Sequence, residues 1–299
     1  MSARLPVAVL LALAACAPAP AADSLAGLTA QVEWTHLCTD WDDWDKVGPP
    51  FRIHGNTYYV GTCGISAILV TGDEGHVLID SGTEKGVEVV LTNIRELGFD
   101  PRDVKILLHS HEHFDHVGGM ARLKQVTGAR LLASAEAAPV LASGETAAND
   151  PQSSMHDAFA PARVDGIVTP GEPVRLGHLA LMPVSTPGHT HGALSWQWSS
   201  HAGDESAPIV YADSLSPVSS DDYRFGDHPE YLRAYREGLA ALADLDCRIV
   251  LTPHPSASAM RANILDNGRI AENPSACRDY AVAIGQRLDA RLTEEARAE

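Results

Sequence analysis

A dense cluster of histidines and carboxylates stands directly after a run of apolar residues in the first half of the chain. Residues 107–119 read LLHSHEHFDHVGG, with four histidines and two acids in eight successive positions. Burying such a cluster is costly unless each imidazole and carboxylate finds a partner, because unpaired polar groups lose their hydration. Neutral imidazole is the commonest metal ligand, and a carboxylate beside it suits a hard or borderline cation. The cluster therefore predicts a metal centre at the end of a buried strand.

The spacing within the cluster divides its ligands between two ions. Residues two apart in an extended backbone point to the same side, so His111 and His113 can bind one ion. Asp115 and His116 then face a second ion. His109 could begin the motif instead, but only His111 begins an unbroken H-x-H-x-D-H.

Distant histidines are needed to complete two sites. His189 lies in the segment STPGHTHG and His254 in the segment LTPHP, each just after a predicted strand. Both stand beside glycine or proline, where a tight turn can aim an imidazole at the edge of a sheet. His191 is the alternative to His189. The other histidines lack such a setting and are expected at the surface or in ordinary hydrogen bonds.

Apolar runs of strand length alternate with segments of helical spacing along the rest of the chain. Strands are predicted at 57–60, 65–70, 76–80, 104–108, 179–184, 193–198, 209–211 and 248–251, and helices at 87–97, 120–126, 229–243 and 275–298. This order indicates an α/β fold with helices outside two central sheets. Residues 142–175, rich in proline, glycine, aspartate and serine, are interpreted as a surface excursion. Residues 23–299 are therefore predicted to form a single domain.

Length and charge limit the classes of partner. A chain of 299 residues, 45% of them hydrophobic, can bury a sizeable core. Its net charge is 22 − 39 = −17. Phosphate groups bind to basic surfaces, so this charge argues against a nucleic-acid partner and against an anionic membrane surface.

The first 22 residues have the pattern of a secretory signal peptide. Arg4 precedes a short apolar run at residues 7–15, and small residues then form a cleavage site of the Ala-x-Ala type. Cleavage is expected after Ala21 or Ala22. The run is too short to span a bilayer, and no later segment is long enough either. The residues LAAC ending at Cys16 also resemble a bacterial lipobox, which would leave a lipid anchor. Both routes predict export, with a periplasmic location for the mature chain.

Four cysteines remain in the mature chain: Cys38, Cys63, Cys247 and Cys277. An even number in an exported protein indicates disulfides, for which three pairings exist. Pairing neighbours in sequence closes two moderate loops, and each such bond would contribute on the order of 3 kcal/mol. No C-x-x-C spacing supports a cysteine-based zinc site.

The order H-x-H-x-D-H, then Gly-His-Thr, then a late Pro-His, resembles the metallo-β-lactamase superfamily. SHEHFDH at 110–116, YADSLS at 211–216 and LTPHP at 251–255 together look like the third subclass of class B β-lactamases. The resemblance runs from about Trp34 to the C-terminal helix. It implies a four-layer αβ/βα sandwich with two zinc ions at one edge between the sheets.

The resemblance also implies the zinc ligands and their neighbours. The ligands of the first zinc match His111, His113 and His189, and those of the second match Asp115, His116 and His254. Ser214 and Ser216 match residues that contact the substrate's carboxylate, and Ser214 stands where another subclass has a zinc-binding cysteine. Asp80 matches an aspartate that supports the site from behind the ligands. Two positions stay open: His191 replaces a common proline, and Asp213 could bridge the two metals instead of serving the structure.

The function implied is zinc-dependent hydrolysis of β-lactam antibiotics, namely penicillins, cephalosporins and carbapenems, which would confer resistance. Two zinc ions roughly 3.5–4 Å apart would share a water and bring its pKa towards about 7. Asp115 would orient this nucleophile. No G-x-S-x-G motif supports a serine nucleophile. The alternatives are a related hydrolase acting on a thioester, lactone or phosphodiester, and a periplasmic zinc-binding protein without catalysis. We expect a monomer.

Overall fold

Two β-sheets form the inner layers of the protein. The computed structural model describes residues 25–297, so the predicted signal peptide and Cys16 lie outside the described residues. The first sheet has seven strands in sequential order: β1 (Phe51–His54), β2 (Thr57–Tyr59), β3 (Ile68–Val70), β4 (His76–Ile79), β5 (Val104–Leu108), β6 (Arg130–Ala133) and β7 (Gly166–Ile167). The second has five: β8 (Val174–Leu176), β9 (Leu179–Ser185), β10 (Leu194–Ala202), β11 (Glu205–Tyr211) and β12 (Ile249–Leu251), in the order β12-β11-β10-β9-β8.

Eight α-helices accompany the sheets within the described residues. They are α1 (Leu25–Leu37), α2 (Gly86–Glu96), α3 (Phe114–Val117), α4 (Met120–Thr127), α5 (Ala137–Ser143), α6 (Pro229–Ala243), α7 (Met260–Asn267) and α8 (Ala276–Arg297). Three hydrophobic cores separate the layers. One lies between the sheets, one joins the first sheet to α2, α4 and α5, and one joins the second sheet to α6 and α8. This is the predicted four-layer α/β sandwich, and the fold prediction is confirmed.

The strand directions bring distant segments to one edge. β4, β5, β6 and β7 run parallel, and β11 runs parallel to β12. Segments that follow parallel neighbours emerge at the same edge, as is usual for ligand sites in α/β proteins. The Leu194 backbone N–H donates to the Ser110 carbonyl at 2.7 Å, and that of Ser66 donates to the Pro253 carbonyl at 2.8 Å. These two bonds join the strand ends of one sheet to those of the other.

Two disulfides tie peripheral segments to this frame. Cys38, just after α1, is bonded to Cys63, with Cα atoms 5.1 Å apart. Cys247, just before β12, is bonded to Cys277 in the first turn of α8, with Cα atoms 6.0 Å apart. Each bond joins cysteines that are neighbours in sequence. Within the described residues, no helix combines the length and the apolar character needed to cross a bilayer.

Most predicted elements coincide with the observed ones, and the differences have simple causes. β5 and α6 have the predicted bounds, while β10 and β11 extend beyond them. The sequence pattern did not predict β1, β6, β7, β8, α1, α3, α5 and α7. β1 and β6 are only four residues long, too short for alternation to be distinguished from chance. α1 and α7 pack on one end of the core between the sheets, so tertiary burial rather than an amphipathic pattern fixes them.

Candidate metal centre

Three imidazoles converge at the edge where the two sheets meet. His111 and His113 lie in the loop between β5 and α3, and His189 lies in the turn between β9 and β10. Their ring centroids are 5.0 Å (His111 to His113), 4.7 Å (His111 to His189) and 4.9 Å (His113 to His189) apart. One nitrogen of each ring lies within 4.8 Å of a nitrogen of the other two. That spacing suits an ion with bonds to nitrogen of about 2.0–2.1 Å.

A second group lies beside the first and contains the carboxylate of the motif. Ligand atoms of His111, Asp115 and His116 all lie within 4.8 Å of one another. His116 Nε2 is 3.0 Å from Asp115 Oδ2, and His254 Nε2 is 3.4 Å from the same oxygen. The structure therefore brings Asp115, His116 and His254 together. His254 lies 138 residues after His116, the last residue of the motif.

The ring nitrogens that face away from the cluster are held by hydrogen bonds. His111 Nδ1 lies 2.8 Å from Asp213 Oδ1, and His113 Nε2 lies 3.2 Å from both carboxylate oxygens of Asp150. A carboxylate behind an imidazole accepts its N–H and leaves the opposite nitrogen free for a metal ion. His111 Nε2 is indeed buried and has no hydrogen-bond partner among the described residues.

His189 is held in a different way. Its Nδ1 lies 3.0 Å from the Ser216 carbonyl and 3.0 Å from the Ser216 hydroxyl. The side-chain amide of Gln152 lies 3.3 Å from Nε2 of the same ring. The carbonyl can accept the Nδ1 proton, which leaves the Ser216 hydroxyl able to rotate towards the neighbouring cavity.

Asp80, at the end of β4, supports the second group. Its carboxylate accepts hydrogen bonds at 2.7 Å from the Ser110 backbone N–H, the Ser110 hydroxyl and the Tyr211 hydroxyl. One oxygen is 3.6 Å from His116 Nδ1. Asp80 has φ of 64°, a left-handed conformation that a residue with a side chain adopts only when its surroundings compensate. Three strong hydrogen bonds provide that compensation.

Burial and neighbouring charges set the protonation of the cluster. Burial lowers the pKa of His189 to about 3 and holds that of His111 well below its usual range, so both rings are neutral at pH 7. Burial opposes ionisation of His116, but the Asp115 and Asp80 carboxylates raise its pKa to about 10. Burial alone would raise the pKa of Asp115, yet the adjacent His116 and His254 hold it well below its usual range. A metal ion at the second group would therefore replace a proton on His116.

Asp213 lies behind His111 and not between the two groups. Its Oδ1 faces His111 Nδ1, and its Oδ2 accepts a hydrogen bond from the Leu215 backbone N–H at 3.0 Å. Burial raises the pKa of Asp213 to about 8. A cation on the far side of the His111 ring would favour the ionised form of this carboxyl group. The bridging position considered for Asp213 is not the one it occupies here.

A cavity of about 380 Å³ opens above the two groups. It is lined by Trp41, Trp44, His113, Asp115, Gln152, His156, His189, Ser214, Ser216, Val218, His254, Ala257 and Arg287. The Ser214 hydroxyl is buried and has no hydrogen-bond partner among the described residues. The cavity falls within the range of about 300–1,000 Å³ that holds small molecules. Both serines singled out in the sequence therefore line the same space as the metal-binding side chains.

Two histidines considered as alternatives lie elsewhere. His109 is buried, and its Nε2 accepts a hydrogen bond from the Ser134 backbone N–H at 3.2 Å. His191 stacks on Tyr231 with centroids 4.1 Å apart, and its Nε2 lies 3.0 Å from the Asn149 carbonyl. Neither ring belongs to a candidate metal-binding group among the described residues.

Three residues of the site lie in the stretch 142–175, where the sequence pattern predicts none. Asp150 and Gln152 are buried against the histidines, and the His156 ring lies 4.1 Å from that of His113. The prediction of a surface excursion at 142–175, with His156 as an ordinary histidine, is therefore wrong for these residues. In fact part of the stretch forms a wall of the cavity. Residues 144–165 form a loop, as the lack of periodicity predicts, whereas β7 and the first residues of β8 also lie within this stretch. Periodicity carries no information on what a loop covers.

Comparisons with known proteins agree with this geometry. A family model described as the metallo-β-lactamase superfamily matches residues 60–203. The MIM-2 metallo-β-lactamase structure is 57% identical to this chain, with 89% of this chain and 98% of that chain covered and a TM-score of 0.85. MEM-A1, a subclass B3 metallo-β-lactamase from a soil metagenome library, is 38% identical over 86% of this chain and all of that chain, with a TM-score of 0.81.

A curated relative of another activity is more distant. The hydroxyacylglutathione hydrolase of Nitrobacter hamburgensis is 29% identical over 56% of this chain, and the chain spans 60% of the length of that relative. The identity to MIM-2 is higher and extends over nearly the whole MIM-2 chain. The chain described here belongs to the metallo-β-lactamase superfamily and, within it, to the B3 subclass.

Proposed function

We propose that this protein is a zinc-dependent hydrolase of β-lactam antibiotics, acting on penicillins, cephalosporins and carbapenems. The observation that carries the proposal is the pair of metal-binding groups that share His111 and lie beneath one substrate-sized cavity, which Asp115 and His254 also line. Two adjoining cation sites below a cavity suit the addition of water to an amide bond. The similarity to metallo-β-lactamases along the chain supports this choice of substrate.

The side chains fit two zinc ions. The buried Nε2 atom of His111 has no hydrogen-bond partner among the described residues, as expected of a nitrogen that binds a metal ion. His116 Nε2 contacts Asp115, which is itself a proposed ligand of the same ion. Imidazole and carboxylate are the zinc ligands of catalytic sites. The proposed ligands are His111, His113 and His189 for the first ion, and Asp115, His116 and His254 for the second. When bound, two zinc ions would supply an activated water at neutral pH and polarise the lactam carbonyl.

Asp115 is the proposed catalytic residue of the chain itself. Its carboxylate is buried and lies between His116 and His254, so its position is fixed. Water adds its oxygen to the lactam carbonyl carbon, the carbon–nitrogen bond breaks, and the nitrogen must gain a proton. The lowered pKa of Asp115 keeps its carboxylate ionised. The carboxylate can therefore orient the water, accept a proton from it and pass that proton to the lactam nitrogen.

Ser214 and Ser216 are proposed to bind the substrate carboxylate. The Ser214 hydroxyl has no hydrogen-bond partner among the described residues. The Ser216 hydroxyl is available to the substrate if the Ser216 carbonyl accepts the Nδ1 proton of His189. Hydrogen bonds from hydroxyl groups to an anionic substrate group would hold the lactam ring above Asp115. Asp80 and Asp213 would keep the ligand imidazoles in the tautomer that binds metal.

We also propose export and a periplasmic role. The pattern of residues 1–22 supports a cleaved signal peptide, with lipidation at Cys16 as the alternative, and two disulfides support an oxidising compartment. The mature protein would be a single domain of residues 23–299, active as a monomer. Hydrolysis of β-lactams in the periplasm would confer antibiotic resistance, because these antibiotics must cross that space.

A thioester hydrolase is the second candidate, since the curated relatives include hydroxyacylglutathione hydrolases. The test uses the chain purified from residue 23 and loaded with zinc, assayed on a penicillin, a cephalosporin, a carbapenem and a glutathione thioester. We expect hydrolysis of the lactams, its loss on chelation, and its return with zinc. Turnover of the thioester alone would establish the second candidate. Lactam hydrolysis by a metal-free sample would refute the zinc mechanism, and no turnover of any substrate would leave a non-catalytic zinc-binding protein.

A further inference from the structure

One cationic side chain lines the cavity and has no role in the site described so far. Among the described residues that line it, Arg287 is the single arginine or lysine. It lies on α8, and its side chain is exposed. The chain as a whole carries a net charge of −17, so the positive charge of Arg287 is opposite in sign to the net charge of the protein. The cavity therefore contains a local positive group in an acidic protein.

The helix that carries Arg287 is fastened to the loop that carries the two serines. The Tyr280 hydroxyl donates to the Ser214 carbonyl at 2.8 Å, and Arg291 Nη2 donates to the Ser219 hydroxyl at 2.8 Å. Arg287 lies seven residues after Tyr280 and four before Arg291, and residues at these spacings share one face of a helix. The disulfide at the first turn of α8 fixes the helix further. Arg287 thus occupies a defined position between two anchors.

Unlike Arg291, Arg287 has no internal partner within the described residues. Arg291 donates to a hydroxyl of the loop and lies 3.0 Å from the carboxylate of Glu295. Within residues 25–297, the Arg287 guanidinium has no hydrogen bond or ion pair. Its planar set of donors matches a carboxylate in a bidentate arrangement. The unpartnered Ser214 hydroxyl lines the same cavity and could donate to the same anion.

We propose that Arg287 is a specificity residue that binds the carboxylate of anionic β-lactams together with Ser214. This inference rests on the proposed function and adds to it a preference for substrates that carry a negative charge beside the lactam ring. Arg287 attracts the anion and fixes its orientation, while the chemistry occurs at the metal-binding groups. Its contribution therefore belongs to substrate binding, with its effect in KM and little effect in kcat.

The experiment compares one cephalosporin as the free acid and as its methyl ester, with zinc-loaded protein. The variants are R287Q, R287K and the control R278Q, which removes the same charge from an exposed position of α8 outside the cavity. For the acid, R287Q should raise KM about fivefold to tenfold, an effect typical of an exposed charge-assisted hydrogen bond, and R287K should fall between R287Q and the wild type. For the ester, wild type and R287Q should have the same KM. Salt should weaken the acid's binding to the wild type more than to R287Q, because screening reduces attraction between charges.

The possible outcomes separate this proposal from the one on which it rests. If R287Q and R278Q change KM for the acid equally, or if R287Q affects acid and ester alike, the role of Arg287 is refuted and lactam hydrolysis stands. If R287Q lowers kcat and leaves KM unchanged, Arg287 does not act in substrate binding, and the proposal also fails. If the zinc-loaded wild type hydrolyses neither the acid nor the ester, the proposed function is refuted, and the role of Arg287 with it.

Discussion

The Asp213→Asn substitution tests whether this carboxylate acts from behind His111. Both side chains are fully buried, and the His111 Nδ1 to Asp213 Oδ1 distance is 2.8 Å. The two carboxylate oxygens accept from two donors, His111 Nδ1 and the Leu215 backbone N–H. An asparagine has one oxygen and one amide group, so one of these N–H donors must face another donor.

Both orientations of the asparagine weaken the site. With its amide group towards His111, the ring must accept through Nδ1 and carry its proton on Nε2, the nitrogen needed for metal. With its oxygen towards His111, the Leu215 N–H loses its acceptor, and a buried donor left unpaired costs about 1–3 kcal/mol. Loss of such a supporting carboxylate lowers metal affinity about 10–100-fold. That factor corresponds to about 1.4–2.7 kcal/mol of binding free energy.

The assay is a stepwise zinc titration against a chromophoric chelator, combined with kinetics on the same samples. We expect D213N to bind two zinc ions at saturation, with the first group weakened about 10–100-fold. D80N is the matched comparison: Asp80 lies beside His116, so this substitution should weaken zinc binding at the second group instead. D289N, at an exposed position, should change neither. A D213N protein with unchanged affinity, or one that saturates at a single zinc, would refute the reasoning, and the second result would support a bridging carboxylate.

Three further predictions concern other parts of the molecule. His254→Ala should reduce metal content towards one zinc per chain and lower kcat. Ser214→Ala should keep both ions and raise KM by the equivalent of about 1 kcal/mol. Metal analysis and kinetics on the same preparations will distinguish these two patterns. Replacing Cys247 and Cys277 with serine should lower the free energy of unfolding by about 3–4 kcal/mol, since the bond closes a loop of 30 residues, and denaturant titration will contradict this if the midpoint does not move. Glu295 accepts from two backbone N–H groups and from an arginine, which hold its pKa below the usual value although burial opposes this; Glu295→Gln should therefore cost about 1–3 kcal/mol at pH 7. A lowered pKa stabilises the fold above the unfolded pKa of about 4.5, and that gain is lost as pH falls through the folded pKa. The difference in stability between the wild type and the glutamine variant should therefore vanish in acid, and thermal melts at pH 7 and pH 3 will show whether it does.

Local chemistry determined much of the fold and the position of the metal-binding motif. β5 could be predicted with the observed bounds because it is a short apolar run of the kind that forms a buried strand, and α6 because its apolar residues have helical spacing. His111, His113, Asp115 and His116 follow β5 within a few residues, so their proximity is a property of the chain. Their types alone indicate a metal centre.

Ligand residues distant in sequence could be proposed from the turns in which they lie and from the family resemblance, whereas periodicity alone could not identify them. His189 and His254 were identified by the motifs around them, and the structure brings them to the cluster. His191 had nearly the same sequence setting as His189, yet its ring turns to Tyr231. Only the path of the turn between β9 and β10 decides which of the two faces the cluster.

Tertiary structure alone decided which groups stand behind the ligands and which enclose the cavity. Asp213 supports His111 across 102 positions of sequence, and Asp150 supports His113 across 37. An aspartate in a loop has no periodic pattern, so nothing in the sequence distinguishes one that accepts an imidazole N–H from one that faces water. Hydrogen bonds to an imidazole depend on distance and direction in space, and the packing of the two sheets sets both.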